Sequence, residues 1–113
     1  MEVLREFLDD GRIASEYELA GGVKNGWARI WSLTGAQIFE GFYVDGILNG
    51  AVLEWAENGT LIRRTTKASG VYHGPYESWW DNGQRKELGV FDRGVREKGY
   101  QWFGQDGVLR NTF

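Results

Sequence analysis

Few residues of this chain could do catalytic chemistry. The 113-residue sequence has one histidine and no cysteine, so a thiol nucleophile is excluded, and a serine nucleophile would have a single histidine available as its base. The one histidine, His73, lies in a glycine-bounded segment, residues 70–74, where we expect it to be solvated. No His, Asp and Glu residues have metal-ligand spacing, and the Gly-x-x-x-Gly segments lack the lysine of a phosphate loop. The sequence therefore predicts a non-enzymatic protein without cofactor or metal.

Residues suited to binding are concentrated towards the C-terminus. Tryptophan, tyrosine and arginine are the types most enriched in the hot spots of protein interfaces. We expect one partner-binding patch, made of four aromatic residues fringed by an arginine and a glutamate: Tyr76, Trp80, Arg85, Glu87, Tyr100 and Trp102. The alternative is that these rings stabilise the last hairpins or cap an exposed sheet edge.

These residues belong to a repeat with a period of 24 residues. One glycine series comprises Gly11, Gly35, Gly59, Gly83 and Gly107. Four residues before each glycine stands a large aromatic residue: Phe7, Trp31, Trp55, Trp79 and Phe103. Two further glycine series follow the same step, and Lys98 interrupts one of them. The aromatic series is interpreted as the packing element of each repeat, with a partner-binding groove as the alternative.

Each repeat reads as a β-hairpin. The turns are Asp10-Gly11, Thr34-Gly35, Asn58-Gly59, Asn82-Gly83 and Asp106-Gly107. Asn-Gly and Asp-Gly favour two-residue hairpin loops because both central residues need a positive φ. The hairpins are expected at about residues 3–19, 27–43, 51–67, 75–91 and 99–113, with about ten strands in total.

A two-residue loop dictates which residues face each other across each hairpin. The expected charged pairs are Arg5–Glu16, Arg29–Glu40 and Glu54–Arg63, and Tyr76 is expected opposite Gly89. The repeat aromatics are expected opposite the residues seven positions on: Trp31–Ile38, Trp55–Ile62, Trp79–Lys86 and Phe103–Arg110.

The predicted fold is all-β: five tandem 24-residue hairpin repeats in one elongated, twisted antiparallel meander sheet. We expect a single layer, because the sequence predicts no helix that could cover either face of the sheet. We also expect a single domain spanning residues 1–113. Contacts between neighbouring repeats would replace a central core.

Three successive units resemble the MORN repeat, and the matching residues are Trp31, Gly35, Gly46 and Gly50, then Trp55, Asn58, Gly59, Gly70 and Gly74, then Trp79, Asn82, Gly83 and Gly94. They are closer to the variant form found in bacterial YwqK-like antitoxin proteins than to the standard MORN repeat. The resemblance implies stacked β-hairpins and a non-catalytic protein-binding module, most simply an immunity or antitoxin protein that neutralises a toxin by direct contact. The alternatives are a MORN-type scaffold associated with a membrane or larger protein assembly, and a carbohydrate-binding module.

Charge and hydropathy limit which class of partner and which cellular compartment are expected. The net charge of −3 disfavours nucleic acid and anionic lipid and suits a basic toxin domain. No apolar run is long enough to span a bilayer, so no integral membrane segment is expected. Absence of cysteine and of signal-peptide features favours the cytoplasm. A monomer or an edge-to-edge dimer is expected.

Overall fold

The computed structural model describes residues 2–113, and within them the chain forms strands and no helix. The twelve strands are β1 (Glu2–Phe7), β2 (Ile13–Ala20), β3 (Val23–Trp31), β4 (Gln37–Val44), β5 (Ile47–Leu48), β6 (Gly50–Trp55), β7 (Leu61–Ala68), β8 (Val71–Trp79), β9 (Arg85–Asp92), β10 (Val95–Arg96), β11 (Gln101–Phe103) and β12 (Leu109–Thr112).

All twelve strands belong to one antiparallel sheet. Its order is β1-β2-β3-β4-β6-β7-β8-β9-β11-β12, with β5 on β4 and β10 on β9. The sheet measures 44 × 31 × 14 Å. Ten strands spaced about 4.8 Å apart span about 43 Å, and two packed sheets would add about 10 Å of thickness. The predicted single-layered all-β meander is therefore confirmed.

The Asn-Gly and Asp-Gly turns have three-residue loops, so the predicted two-residue loops are wrong. In the β6–β7 hairpin the Gly59 N–H donates to the Ala56 carbonyl at 3.0 Å, and the Ala56 N–H donates to the Thr60 carbonyl at 2.9 Å. The Asn58 Oδ1 accepts the Thr60 N–H at 2.9 Å. This local hydrogen bond favours a type I turn, after which Gly59 adopts a φ of +89°.

One extra residue in the returning strand restores the expected register beyond each turn. Trp55 pairs with Leu61, but the preceding Glu54 pairs with Arg63, so Ile62 is left as a β-bulge. The bulge offsets the longer loop. The expected pairs Arg5–Glu16, Arg29–Glu40, Glu54–Arg63 and Tyr76–Gly89 are consequently confirmed.

The same bulge makes the expected partners of the repeat aromatics wrong. Their actual partners lie one residue earlier: Trp31–Gln37, Trp55–Leu61, Trp79–Arg85 and Phe103–Leu109.

Two-residue turns occur instead at the opposite ends of the strands. At Asp45-Gly46 both central residues have positive φ, 50° and 86°, and the flanking Val44 pairs with Ile47. This is the requirement of a type I′ turn. Gly21-Gly22, Ser69-Gly70 and Arg93-Gly94 repeat it. Strand pairing therefore continues into segments predicted as loops, which explains why there are twelve strands rather than about ten.

The two faces of the sheet differ in burial. One face, which we call the buried face, carries side chains less than a tenth exposed: Ser15, Ala28, Val52, Thr65, Tyr76, Ser78 and Tyr100. The other, the ladder face, carries one residue from each of ten strands in a continuous row: Arg5, Glu16, Arg29, Glu40, Leu53, Arg64, Glu77, Leu88, Gln101 and Thr112. Glu16 lies 2.9 Å from the Arg5 Nε and 3.7 Å from the Arg29 Nη1.

Replacement of Gly59 tests the turn geometry. An added Cβ would meet no atom within 4 Å, so its cost is purely the backbone strain of the positive φ. We expect Gly59→Ala to lower the free energy of unfolding by about 1 kcal/mol, measured by urea denaturation. Gly59→Asn is the control and should lose less, because asparagine tolerates this conformation. Equal losses would contradict the assignment.

Thr65 provides a second stability test. The residue is 2% exposed, and its hydroxyl has no hydrogen-bond partner among residues 2–113. A buried polar group without a partner costs free energy that an apolar group of similar shape avoids. We expect Thr65→Val to raise the free energy of unfolding by about 1 kcal/mol. Thr65→Ser keeps the hydroxyl and removes a buried methyl, so it should lower stability by about 1 kcal/mol. A loss in the valine variant would contradict the reasoning.

Candidate partner-binding site

The structure brings together five of the six predicted binding residues and separates the sixth. Arg85 pairs with Trp79 in the sheet, and its Nη1 lies 3.0 Å from the Glu77 Oε2 on the ladder face. The other five lie on the buried face. Two of these, Tyr76 and Tyr100, are only 8% and 4% exposed.

Glu87 is the centre of a hydroxyl cluster. Its carboxylate accepts hydrogen bonds from the Ser78 Oγ at 2.8 Å, from the Tyr76 hydroxyl at 3.4 Å and from the Tyr100 hydroxyl. Burial and the neighbouring Glu87 charge raise the pKa of Tyr76 to about 12. Burial and the hydrogen bond to Glu87 likewise raise the pKa of Tyr100. The cluster is internal packing and leaves the two tyrosine rings little surface for a partner.

Trp80 and Trp102 form the accessible part of the predicted patch. Trp80 opens the turn after β8, where its N–H donates to the Gln84 carbonyl at 2.8 Å. Its indole Nε1 donates to the Phe103 carbonyl at 3.2 Å, which ties the ring to the neighbouring hairpin. The Trp102 ring stands edge-on to it with centroids 6.4 Å apart and is 38% exposed. Tryptophans held in this way lose little conformational freedom on binding.

A cleft of about 390 Å³ opens beside Trp80. Its wall includes Ile62, Arg63, Asp81 and Lys86. Ile62 and Lys86 are the bulge residues of successive hairpins. The Lys86 Nζ lies 4.6 Å from the Trp80 ring centroid, a cation–π distance. Sequence reasoning missed both residues because it had paired them with the repeat tryptophans.

Arg63 adds a second cation to the cleft. Its Nη1 donates to the Glu54 Oε2 at 3.0 Å. Partial burial opposes the charged form, but the Glu54 carboxylate together with Tyr76 and Tyr72 outweighs it and raises the pKa of Arg63. The cleft therefore offers indole surface beside the Lys86 ammonium group and an arginine already paired with Glu54, and it can hold an apolar side chain and the carbonyl oxygens beside it.

Acidic side chains follow the line of type I turns, and one of them, Asp81, lines the cleft. We call this line the turn edge, and its carboxylates are Asp9, Asp10, Glu57, Asp81 and Asp106. Hydrogen bonds link successive turns: the Asn58 Nδ2 donates to the Asp81 carbonyl at 2.9 Å, and the Asn82 Nδ2 donates to the Gln105 carbonyl at 3.0 Å. The last three turns of the turn edge are therefore connected to one another, and two of its carboxylates, Asp10 and Asp106, have arginine partners in Arg12 and Arg110.

The repeat aromatics lie on the ladder face. The guanidinium carbons of Arg64 and Arg85 lie 5.7 and 5.5 Å from the Trp79 ring centroid, and both arginines bind Glu77. In this repeat the ring packs against its own ion pairs. Phe7, at the first repeat, is 59% exposed.

His73 has a structural contact. Its Nδ1 accepts the Arg93 N–H at 3.0 Å, and Asn49 in the previous repeat accepts the Ser69 N–H at the same distance. The histidine, expected to be merely solvated, thus supports a two-residue turn.

Comparison with known families and with curated protein sequences finds no match. Among residues 2–113 no helix is long and apolar enough to cross a membrane. Within the same residues no group of three or more His, Asp or Glu side chains is placed to hold a metal ion.

The tyrosine cluster predicts how stability depends on pH. The folded-state pKa of Tyr76 lies above its usual value of 10, so above about pH 10 the unfolded chain loses a proton that the folded chain keeps. We expect the free energy of unfolding to fall from about pH 10 to about pH 12, and less steeply in Tyr76→Phe. We also expect Glu87→Gln to make tyrosinate absorbance appear at lower pH, because it removes a neighbouring negative charge. An unchanged titration would contradict the assigned contacts.

Proposed function

We propose that this protein is a non-catalytic protein-binding repeat module that acts as an immunity or antitoxin protein. It would neutralise a basic toxin domain by direct contact at Trp80 and Trp102, at the cleft beside Trp80 and at the adjoining turn edge. The observation that carries the proposal is the pair of positioned indoles, 6.4 Å apart, beside an acidic border. No proton transfer or covalent step is involved; the module would block the toxin sterically and electrostatically.

The cleft supplies the anchoring energy in this proposal. Interfaces take most of their affinity from a few tryptophan, tyrosine and arginine residues in central pockets. Trp102 is 38% exposed, and Trp80 lies beside it at the mouth of the cleft. Trp80 follows β8 and Trp102 lies within β11 of the next hairpin, so the sheet fixes the spacing of the two rings.

The turn edge supplies the charge complementarity. Asp9, Glu57 and Asp81 face solvent along one line. Many of the other carboxylates form ion pairs with arginines of the same sheet. Such a border speeds association with a basic partner and disfavours acidic competitors. The toxin assignment itself draws on the resemblance to YwqK-like antitoxins, which also suggests a bacterial cytoplasmic protein.

Affinity capture from the source cells, followed by mass spectrometry, tests the proposal. We expect a basic protein encoded beside this gene to be recovered, and co-expression to relieve its toxicity. The variant Trp80→Ala, Trp102→Ala should weaken that complex at least about 30-fold, the equivalent of one strong hot spot.

Trp27→Ala is the matched control, since Trp27 is 42% exposed but lies on the ladder face. It should leave affinity unchanged. Lys86→Ala removes the cation over Trp80 but keeps the indole hydrogen bond that ties Trp80 to the neighbouring hairpin. A loss of affinity in this variant would therefore come from binding and not from folding. Recovery of the protein alone, or equal loss in Trp27→Ala, would overturn the proposal.

A further inference from the structure

The half of the buried face away from the turn edge carries a row of cations and rings. We call it the cation strip, and its residues are Lys24, Tyr43, Leu48, Lys67, Tyr72, Phe91 and Arg96. Cross-strand pairing places Tyr43 with Leu48, Lys67 with Tyr72 and Phe91 with Arg96. Six interstrand steps separate Lys24 on β3 from Arg96 on β10, so the strip is about 29 Å long.

Each cation of the strip lies over aromatic rings. The Lys24 Nζ is 4.0 Å from the Tyr17 ring centroid, and the Lys67 Nζ is 4.8 Å from that of Tyr72. The Arg96 guanidinium lies 4.7 Å from the Phe113 centroid. Ring contacts of this kind hold a cation in place without neutralising it.

No carboxylate of residues 2–113 lies within ion-pair distance of these three cations. Two carboxylates on the same face are bound to other partners. Glu87 is turned to the hydroxyls of Ser78, Tyr76 and Tyr100, and Glu2, at the end of the strip, accepts the Gly22 N–H at 3.3 Å. The strip is therefore a positive surface on a protein of net charge −3.

The tyrosines in and beside the strip do not cancel this charge. Burial raises the pKa of Tyr43, and burial with Glu87 raises that of Tyr76. Both phenols therefore remain neutral at physiological pH.

The spacing of the cations indicates the geometry of a ligand. Three interstrand steps separate Lys24 from Lys67, and three more separate Lys67 from Arg96, about 14 Å each. An extended polypeptide advances about 3.3 Å per residue, so side chains four residues apart point the same way and lie about 13 Å apart. We propose that the cation strip binds an extended acidic polypeptide segment that crosses the strands and carries a carboxylate at every fourth residue.

The ring contacts favour a polypeptide over single-stranded nucleic acid. Non-specific binding of single strands depends on free aromatic faces on which successive bases stack. Here Tyr17 and Tyr72 already have lysine ammonium groups over their rings. What remains available is the outward side of each cation, which suits a discrete carboxylate.

This interaction is independent of the proposed toxin-binding function, because it uses the opposite half of the face and a partner of opposite charge. The two are therefore tested separately: Trp80→Ala, Trp102→Ala should leave peptide binding unchanged.

A labelled peptide of about 13 residues tests the strip, with three glutamates four residues apart in a Ser/Thr background. The control peptide has the same composition with the three glutamates adjacent. We expect fluorescence anisotropy to show the spaced peptide binding at least about tenfold more tightly, with affinity falling as salt rises. The triple variant Lys24→Gln, Lys67→Gln, Arg96→Gln should abolish the difference.

Lys86→Gln, Lys98→Gln is the matched charge control, since neither lysine belongs to the strip, and it should keep the preference. Circular dichroism verifies that all variants are folded. Equal binding of the two peptides, absence of binding, or tighter binding of oligothymidylate or phosphatidylserine vesicles would each overturn the proposal.

Discussion

The structure depends on one constraint, which is that a single-layered sheet has no second layer against which to bury its side chains. Burial must come from neighbours in the same sheet, so rings lie over bare backbone. The Tyr100 ring covers Gly89, and Leu48 and Phe39 cover Gly41 so closely that an added Cβ would lie about 3 Å from both. Each hairpin is therefore stabilised by the next, as in other repeat architectures.

The same constraint shapes the charged residues. An isolated exposed ion pair contributes about 0–1 kcal/mol, but here carboxylates are shared between strands. Glu16 binds both Arg5 and Arg29, and Glu77 binds both Arg64 and Arg85. A slip of one residue would move every member of such a row to the opposite face, so the row specifies register more than it adds stability.

The two proposed binding surfaces both lie on the buried face. Glu87 and its three hydroxyl partners lie between the cleft beside Trp80 and the cation strip. The turn edge carries the carboxylates of Asp9, Glu57 and Asp81, whereas the three cations of the strip have no carboxylate within ion-pair distance among residues 2–113, so the two ends of the strands differ in charge. A repeat scaffold permits this because each hairpin can vary its exposed residues while its turn residues stay constant.

The sequence alone determined the period, the strand order and pairs such as Arg5–Glu16, because the two-residue periodicity of a strand and a repeated turn leave little choice of register. Tertiary structure decided the loop length at Asn58-Gly59, since a local hydrogen bond and a compensating bulge produce the same register as the shorter loop. It also decided that Tyr76 is buried whereas Lys86 reaches the cleft. Burial depends on which side chains arrive from the neighbouring strands, and that is a property of the assembled sheet.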